Sequence, residues 1–505
     1  MANRQTSITG GPLLSKKWVL KKIFKFDRFR GLQESIVDNV IKGEDTVVLM
    51  PTGFGKSLCY QLPAILREGM TVVISPLLSL MKDQVDALNR KNIPAMTLNS
   101  TQTAEESRNI IELIKKGQCK LLYISPERAL KTEMINFLKE IPLAMIAIDE
   151  AHCISEWGHD FRPLYRDLKL LKYYFENIPF MALTATASRK TCMDILEVLE
   201  LSDAKIYVSG FDRPNIEIKH IKKEEEKKIL QKIPNLIAKD GATIIYCLSR
   251  KKVEQTYKFL KTKGINCSAY HGGMDKLDRI DSQNYFIEDT QPVMIATNAF
   301  GMGIDRSDVR RVIHLDMPSS IESYYQEIGR AGRDGENSDA VLFYSARDVA
   351  IHKMMARKGH SDRNHVLLEY NRIDKMYWFC ESPSCKRYLI LKHFSEEGHC
   401  HCHSCSSCNS VGTPYPVNDL AIKMIMKINN KIKNSSEILY YEFLDELSES
   451  SQFDEKFDRA SWKRIFGELF LHEVFKLNFK KDNLIIELTP FAVKVLKGEI
   501  EISLK

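Results

Sequence analysis

The sequence has no apolar run of transmembrane length, and its first thirty residues lack the pattern of an export signal. It also has no internal repeat, which argues against a repeat architecture. These absences predict a cytoplasmic protein that does not act on a membrane. With 505 residues, 44% of them hydrophobic and 28% charged, the chain is long enough for three or four globular domains.

No strong excess of either charge is present, because the formal net charge of the whole chain is only +7. Residues 1–40 supply five of these positive charges, with eight Lys and Arg against three Asp and Glu. A mildly basic chain is compatible with a nucleic-acid partner, but a solvated helix face explains the same charge equally well. Charge alone therefore does not decide the function.

The twelve cysteines fall into two groups. Six are scattered through apolar surroundings, and without an export signal they are expected to be reduced and mostly buried. The other six lie between Cys380 and Cys408. Such clustering in a reducing compartment favours a metal site over disulfides.

Short apolar runs alternate with helical patterns between roughly residues 40 and 345. The first five are predicted to be buried parallel strands: DTVVLM, MTVVISP, CKLLYISP, LAMIAIDE and FMALTATA. A turn is predicted at residues 210–215, and the strands then resume with ATIIYCLSR, NCSAYHGG, QPVMIATNAFG and VRRVIHLD. Past Phe343 long helices follow. The pattern predicts an α/β protein with two successive parallel-sheet units.

The C-terminal part begins with a segment at residues 411–419 whose proline and glycine content is typical of a linker. Three helices and a hairpin are predicted after it, which is the outline of a winged helix. Residues 411–505 hold 14 Lys and Arg against 15 Asp and Glu, whereas a DNA-binding wing is usually basic. A winged helix that binds another protein therefore stays open. The predicted domains are residues 1–212, 213–345, 346–412 and 413–505.

The stretch TVVLMPTGFGKSLCY predicts a nucleotide site, because a buried strand, a turn and a helix follow one another. The backbone N–H groups from Thr52 to Lys56, including those of Gly53 and Gly55, can cradle phosphate oxygens at the helix N-terminus. Lys56 is expected to contact the β- and γ-phosphates, and Ser57 to ligate Mg²⁺. Methionine replaces the first glycine of the G-x-x-x-x-G-K-[ST] pattern, so the match is imperfect.

Two further stretches carry charged groups suited to phosphate chemistry. In MIAIDEAH, Asp149 is expected to hold Mg²⁺ and Glu150 to orient or deprotonate the attacking water, although two acidic residues can also simply cap a strand. In SYYQEIGRAGRDG, Gln326, Arg330 and Arg333 are predicted on or beside one helix. Arginines from a second sheet unit can neutralise charge in a transition state, whereas isolated arginines are more often surface residues.

The motifs and their order resemble those of the superfamily 2 helicases over most of residues 24–345. MPTGFGKS, DEAH, TAT and QEIGRAGR are similar to motifs I, II, III and VI of that superfamily. FRGLQ at residues 29–33, the aromatic-rich stretch ISEWGHDFRP at residues 154–163, and ATNAFGMGIDRSDVRRVIH resemble motifs of the RecQ branch. The aromatic-rich stretch is specific to that branch, so the sequence is identified as a member of the RecQ DNA helicases.

The resemblance implies roles for two more groups of residues. The residues implied to recognise adenine are Phe26, Arg30 and Gln33. The residues implied to sense single-stranded DNA and report it to the DEAH motif are Trp157, Phe161 and Arg162. Aromatic rings and arginine suit bases and phosphates in these roles. The chain departs from the family at Phe54, where glycine is usual, and at Glu156, where glutamine is frequent.

A zinc platform follows the second lobe in this family, and the resemblance assigns its ligands here. They are Cys385, Cys402, Cys405 and Cys408. Four thiolates with C-x-x-C spacings suit tetrahedral Zn²⁺. Five further candidate ligands remain in the same region: Cys380, Cys400, His399, His401 and His403. A Cys₃His set that uses His403 therefore stays open.

For the whole chain, the resemblance implies two tandem RecA-like lobes, a helical zinc-binding subdomain and a winged helix, without the C-terminal helical accessory domain of longer members. It implies ATP, Mg²⁺ and Zn²⁺ as cofactors of a monomeric 3′–5′ DNA helicase that translocates on single-stranded DNA and unwinds duplexes in recombination or repair. The expected partners are single-stranded DNA, 3′-tailed or forked duplex DNA, and a single-strand-binding protein. An RNA helicase and a DNA-binding regulator with a vestigial ATPase are the alternatives.

Overall fold

A computed structural model describes residues 15–99, 102–155, 161–185, 189–300, 306–359, 362–410, 415–435, 437–449, 459–480 and 483–504. The chain divides into two compact units. The first comprises the described residues up to Phe211 together with Arg306, and the second comprises the remaining described residues from Asp212 onward.

The first unit is built on a parallel sheet of seven strands. These are β1 (Thr46–Leu49), β2 (Met70–Ile74), β3 (Ala95–Leu98), β4 (Leu121–Ile124), β5 (Leu143–Ile148), β6 (Phe180–Thr184) and β7 (Lys205–Val208). Their order across the sheet is β3-β4-β2-β5-β6-β1-β7, and every pairing is parallel. β1, β2, β4 and β6 are buried along their whole length, as continuous apolar runs require when helices cover both faces.

Helices of the first unit alternate with these strands. They are α1 (Lys16–Lys22), α2 (Gln33–Lys42), α3 (Leu58–Leu66), α4 (Leu78–Asn89), α5 (Ala104–Lys115), α6 (Pro126–Ala129), α7 (Thr132–Lys139), α8 (Pro163–Arg166), α9 (Lys169–Tyr174) and α10 (Arg189–Val198), with a 3₁₀ turn at Ala151–Ile154. Thr103 and Glu106 form a capping box at the start of α5, which satisfies main-chain N–H groups of its first turn.

The second unit contains a parallel sheet of six strands. These are β8 (Ile216–Lys222), β9 (Ala242–Tyr246), β10 (Ser268–Tyr270), β11 (Val293–Ala296), β12 (Val309–His314) and β13 (Ser338–Tyr344), in the order β10-β11-β9-β12-β13-β8. The helices of this part are α11 (Glu226–Leu236), α12 (Arg250–Thr262), α13 (Lys276–Glu288), α14 (Ile321–Ile328) and α15 (Ala346–Gly359). The two parallel sheets confirm the predicted α/β class.

A helical region and a small C-terminal bundle complete the second unit. The helical region consists of α16 (Arg363–Glu381), α17 (Lys386–His393) and α18 (Ser406–Asn409). The bundle consists of β14 (Tyr415–Pro416), α19 (Asn418–Ser435), α20 (Tyr440–Glu449), α21 (Arg459–Leu471), β15 (Phe475–Lys480), β16 (Asn483–Leu488), α22 (Pro490–Leu496) and β17 (Ser503–Leu504). β15 and β16 pair antiparallel, so three helices and a hairpin follow one another as predicted.

The C-terminal bundle packs on the helical region through close contact between α21 and α16. A Cβ atom at Gly467 on α21 would lie 2.6 Å from the Trp378 ring on α16, so only glycine fits there. The core of the bundle is aromatic, and Phe470 stacks on Phe475 with ring centroids 5.4 Å apart. No described helix is long and apolar enough to cross a membrane.

All nine apolar runs predicted as strands are strands. Four other strands of the two parallel sheets were absent from that prediction, β3, β7, β8 and β13, as were the two-residue strands β14 and β17. β7 is the clearest case, because this edge strand is mostly exposed and so lacks the continuous apolar pattern.

Candidate functional site

The Walker loop (residues 50–57) connects β1 to α3 at the carboxyl edge of the first sheet. Gly53 and Gly55 have φ values of +83° and +79°, in the left-handed region that favours glycine. A Cβ atom at Gly55 would lie 2.6 Å from the Gln33 side-chain nitrogen. Glycine at position 55 is therefore needed both for the backbone conformation and for the close approach of α2.

Gln33 ties the segment before α2 to the Walker loop. Its Oε1 accepts a hydrogen bond from the Arg30 N–H at 2.9 Å, and its Nε2 donates to the Phe54 carbonyl at 2.8 Å. The Arg30 guanidinium lies 6.0 Å from the ring centroid of Phe26, which is half-exposed. The structure thus brings the three residues of the predicted adenine site beside the phosphate loop, while their contact with adenine stays a prediction.

Phe54, which stands where the family usually has glycine, has a structural role of its own. Its side chain is partly buried and packs against the core between the N-terminal helices and the sheet. Its carbonyl is the acceptor for Gln33. The bulky residue therefore anchors the middle of the Walker loop.

Asp149 and Glu150 follow β5 at the same edge of the sheet. The Asp149 N–H donates to the Ile74 carbonyl at 2.9 Å, and the residue is 8% exposed. Burial raises the pKa of the Asp149 carboxyl to about 6; the Glu150 carboxylate raises it further, whereas Lys56 opposes the shift. Lys56 and Asp149 are thus close enough to interact electrostatically, as a Mg²⁺–phosphate site requires.

Glu150 has a left-handed backbone, with φ of +50°, where the chain turns from β5 into the 3₁₀ turn. Its Oε2 lies 3.3 Å from Nδ1 of His152, and that nitrogen is 2.9 Å from the Thr184 hydroxyl at the end of β6. The DEAH motif is therefore connected through His152 to the first residue of the TAT motif.

The end of the aromatic-rich stretch contacts the residue that follows the DEAH motif and the segment after β2. Arg162 donates from Nη1 to the Pro76 carbonyl at 3.0 Å, and its N–H donates to Cys153 at 2.9 Å. Tyr165, which the sequence analysis did not single out, donates its hydroxyl to the Asp149 carbonyl at 3.3 Å. Phe161 is half-buried. Two residues of the sequence analysis, Glu156 and Trp157, lie outside the described residues.

In the second unit, Gln326 lies on α14, and Arg330 and Arg333 follow in the turns after this helix ends at Ile328. Burial raises the pKa of Tyr246, at the end of β9, to about 12, and the nearby charge of Arg330, which is only 6% exposed, opposes this rise. Arg330 therefore lies near the carboxyl end of β9.

Arg213 holds the turn that carries these arginines, although the sequence analysis predicted only a turn at its own position. Its guanidinium donates to the carbonyls of Gly329 at 3.2 Å, Ala331 at 2.7 Å and Gly332 at 3.1 Å. Asn215 adds a hydrogen bond to the Gly332 carbonyl at 2.9 Å. The one feature of the sequence that could have indicated this role of Arg213 was its charge within an otherwise turn-forming segment.

The four cysteines assigned to zinc converge in the helical region: Cys385, Cys402, Cys405 and Cys408. Their sulfur atoms all lie within 4.8 Å of one another. Tetrahedral zinc with bonds of about 2.3 Å places sulfur atoms roughly 3.8 Å apart, so the cluster fits the ion. The contact with Cys385, whose sulfur lies 4.0 Å away, holds the pKa of Cys405 well below its ordinary value, which favours the thiolate that metal binding needs.

The other candidate zinc ligands differ in where they lie relative to the four-cysteine cluster. Cys380 is buried on α16 and Cys400 is exposed, and neither belongs to the cluster. The His401 imidazole lies beside the cluster, with Nδ1 3.5 Å from the Cys408 sulfur. His403 instead lines a polar cavity that it shares with Arg311 and other residues.

Arg387, two residues after Cys385, connects the cluster to the second sheet. Its guanidinium donates to the Ile216 carbonyl at the start of β8 at 2.8 Å and to the Ser404 hydroxyl at 2.9 Å. It also contacts Asp212 at 2.9 Å and the Arg213 carbonyl. The cysteine cluster is thereby joined to the segment that holds the Arg330 turn.

Three family models match successive parts of the chain. "DEAD/DEAH box helicase" matches residues 30–195, "Helicase conserved C-terminal domain" matches residues 225–335, and "RecQ zinc-binding" matches residues 346–409. Together they span the nucleotide site, the arginine turn and the cysteine cluster.

Comparisons with individual proteins agree with these models. The chain is 40% identical over 507 residues to the ATP-dependent DNA helicase RecQ of Pasteurella multocida, covering 96% of this chain and 78% of that protein. It is 45% identical over 406 residues to the protein of the same name from Haemophilus influenzae, covering 79% of this chain and 65% of that one.

Solved structures support the fold. A structure of S. cerevisiae Dbp5 bound to RNA and ADP BeF3 covers 67% of this chain and 90% of that one, with a TM-score of 0.54 and 17% identity. The DUF1998 helicase MrfA bound to DNA covers 72% of this chain and 56% of that one, with a TM-score of 0.54 and 18% identity.

Proposed function

Because the chain belongs to the RecQ family of ATP-dependent DNA helicases, we propose that it moves from 3′ to 5′ along single-stranded DNA and unwinds the duplex ahead. One observation carries this proposal: the chain that brings Lys56 and Asp149 together also holds a four-cysteine cluster after its second sheet. The first feature supports ATP hydrolysis, and the second supports the RecQ type of helicase. The polarity rests on family membership.

At the ATP site, Lys56 neutralises the β- and γ-phosphates while Ser57 and Asp149 hold Mg²⁺. The raised pKa of Asp149 supports this role, since a buried carboxylate gains from a cation. Bound Mg²⁺ would supply positive charge on the phosphate oxygens. Glu150 orients the attacking water and accepts its proton.

The arginine turn, which carries Arg330 and Arg333, supplies positive charge for the reaction. Arg330 and Arg333 stabilise the charge that develops on the transferred phosphoryl group, and Gln326 contacts the phosphates beside them. The hydrogen bonds from Arg213 support this role, because they hold the main chain of the turn in one conformation.

Adenine is held by Phe26, Arg30 and Gln33, and DNA is sensed by Trp157, Phe161 and Arg162. The contact of Arg162 with Pro76 and the contact of the adjacent helix α8 with Asp149 support a link between DNA and hydrolysis. Stacking on aromatic rings suits a strand of any base sequence.

Each of the four predicted domains has its own function. Residues 1–212 and 213–345 form the motor, and residues 346–412 bind zinc as a structural brace. Residues 413–505 hold the duplex as a winged helix, with 3′-tailed or forked DNA as the substrate. The enzyme acts as a monomer in recombination or repair, alongside a single-strand-binding protein.

Strand displacement on matched substrates tests the proposal. The substrates are one duplex with a 3′ tail and the same duplex with a 5′ tail, each with and without ATP and Mg²⁺. We expect ATP-dependent displacement of the 3′-tailed duplex only. Displacement of the 5′-tailed duplex alone would overturn the polarity, and equal ATPase stimulation by RNA and DNA would favour an RNA helicase.

A further inference from the structure

The exposed face of helix α1 consists only of lysine and tryptophan. The helix residues that are exposed are Lys17, Trp18, Lys21 and Lys22, and we call them the lysine–tryptophan face. On the opposite side of α1, Val19 and Leu20 are buried in the core of the first unit. The helix is therefore fixed to the protein by one side and presents three positive charges and an indole ring to solvent on the other.

The lysines of this face gain little stability from their surroundings. Lys17 and Lys21 are four residues apart, a spacing at which like charges on a helix repel each other. Among the described residues, the single carboxylate that pairs with the face is Asp27, 3.5 Å from the Lys21 nitrogen, and both of these side chains are largely exposed. The partly buried Lys16, in contrast, has a carboxylate partner on α2 at 2.6 Å. The charges of the face are thus available to a ligand of opposite charge.

The positive charge continues past the end of α1. Residues 15–30 hold seven Lys and Arg against one Asp. Lys25 is exposed and has a φ of +64°, in the left-handed region that favours glycine. The Phe26 N–H donates to the Leu20 carbonyl at 3.1 Å and closes this turn. Lysine at a position where glycine would be less strained supports a function for its side chain.

Trp18 is the one exposed tryptophan among those that the structure describes. It is 46% exposed, whereas Trp462 lies in the core of the C-terminal bundle and Trp378 packs against it. On the helix surface Trp18 is a neighbour of Lys21 and Lys22, because residues three and four apart lie side by side. An indole ring beside ammonium groups offers a stacking surface for a base and charges for the phosphates on either side of that base.

We infer that the lysine–tryptophan face of α1 binds single-stranded DNA, at a site separate from the residues proposed to sense DNA beside the DEAH motif. The lysines contact phosphates, and Trp18 stacks on a base. Duplex DNA fits less well, because its bases are already stacked on one another, and an acidic protein segment would leave the indole without a base to stack on. The inference rests on the proposed function only in taking single-stranded DNA as the ligand.

Removal of two charges tests the phosphate contacts. The Lys17→Gln/Lys22→Gln variant should keep the helix, since glutamine and lysine have similar helix propensities. The affinity for a fluorescent oligothymidylate is measured over a series of salt concentrations. We expect the affinity at low salt to fall about 5- to 30-fold. The slope of log affinity against log salt should become shallower by roughly 1.4, which is about 0.7 for each lost phosphate contact.

Lys115→Gln/Lys116→Gln is the matched control for this variant. It removes two exposed charges from the end of α5, a helix that also exposes glutamates. The control should keep both the affinity and the slope of the wild type. ATP turnover without DNA should equal the wild-type value in both double variants, because neither changes a residue of the nucleotide site.

The Trp18→Ala variant tests the stacking contact, because it removes the indole and leaves the charge unchanged. The affinity for the oligothymidylate should fall about 5- to 100-fold with no change in the salt slope. The affinity for a blunt duplex of the same length should stay at the wild-type value. Quenching of tryptophan fluorescence by the bound strand should be smaller than in the wild type, because the ring that contacts a base is gone.

Unchanged affinity for the single strand in both α1 variants would overturn the inference and would favour an acidic protein segment as the ligand of this face. Equal losses of single-strand and duplex affinity in Trp18→Ala would also overturn it, because stacking on an unpaired base would not be involved. A wild-type protein that does not bind single-stranded DNA would count against the proposed function instead, so the two failures are distinguishable.

Discussion

The side-chain amide of Gln33 donates a hydrogen bond to the main-chain carbonyl of Phe54 at 2.8 Å. The residue predicted to read adenine is therefore attached to the loop predicted to hold the phosphates. With the predicted role of Gln33, recognition of the base would be coupled to the conformation of the Walker loop through a single amide group.

Gln33→Ala should weaken ATP binding by roughly tenfold, because the Walker loop loses the hydrogen bond that holds its middle. The measurement is ATP affinity by calorimetry or fluorescence. Gln102→Ala is the matched control, since Gln102 also accepts from one main-chain N–H and donates to one carbonyl, those of Asn99 and Thr97. Unchanged affinity in Gln33→Ala would contradict the coupling.

Lys56→Ala should lower ATP turnover by at least about a hundredfold, because the charge that balances the developing phosphate charge is gone. Binding of single-stranded DNA should be largely retained. Lys115→Ala serves as the control, since that side chain is exposed at the end of α5. Normal turnover in Lys56→Ala would refute the assignment of the nucleotide site.

Arg213→Lys should lower the maximal rate of ATP turnover about tenfold with little change in KM, because a single ammonium nitrogen cannot occupy the two positions from which Nη1 and Nη2 hold the Gly329, Ala331 and Gly332 carbonyls. Arg67→Lys is a close control in the first unit. Arg67 also donates to three carbonyls, at Val40, Ile41 and Ala144. Both variants should lose stability, but an equal loss of turnover in both would argue against a specific role of Arg213.

Cys405→Ser should lose the zinc ion, since three thiolates and a hydroxyl bind zinc more weakly than four thiolates. His403→Ala should retain it, whereas His401→Ala should retain it but release it faster to a chelator, because His401 lies beside the Cys408 sulfur. Metal content and the rate of chelator extraction test these expectations. Loss of zinc in His403→Ala would restore the Cys₃His alternative.

Glu468→Gln should stabilise the protein at pH 8 and have little effect at pH 5. Burial raises the pKa of Glu468 on α21 to about 7, although contacts with the Ser382 and Ser384 hydroxyls and with Lys386 oppose the shift. The stability associated with the protonated carboxyl is complete below pH 4.5 and is lost as the pH rises through 7. The expected gain at pH 8 is about 1–3 kcal/mol.

The measurement for Glu468→Gln is the unfolding midpoint in denaturant at both pH values. Glu442→Gln replaces an exposed carboxylate on α20 and should show no such dependence on pH. A gain for Glu468→Gln that is equal at pH 5 and pH 8 would show that the effect does not come from its ionisation.

The buried strands, the phosphate loop and the cysteines of the metal loop were predictable from the sequence, because each depends on a pattern of residues that are close together in the chain. Continuous apolar runs mark strands covered on both faces, as in β2 and β6. The glycines and Lys56 of the Walker loop mark a strand–turn–helix phosphate site, and the short spacing of Cys402, Cys405 and Cys408 marks a metal loop. The exposed edge strand β7 carries no such pattern.

The contacts that organise these groups were not predictable, because they join residues far apart in the chain. Arg213 contacts carbonyls 116 to 119 residues later, and Gln33 contacts a carbonyl 21 residues later. No local period or spacing encodes such pairs. The surroundings of His401 and His403 were not predictable either. The two residues are only two positions apart, but His401 lies beside the Cys408 sulfur, whereas His403 lines a polar cavity.

The sequence by itself determined the α/β class, the location of the phosphate loop and the cysteines available for zinc, since these follow from periodicity and from the chemistry of single residues. Only the tertiary structure decided that Gln33 holds the Walker loop and that Arg213 holds the arginine turn. The physical reason is that a buried polar group must find its partner wherever packing of the strands and helices brings one within hydrogen-bond distance.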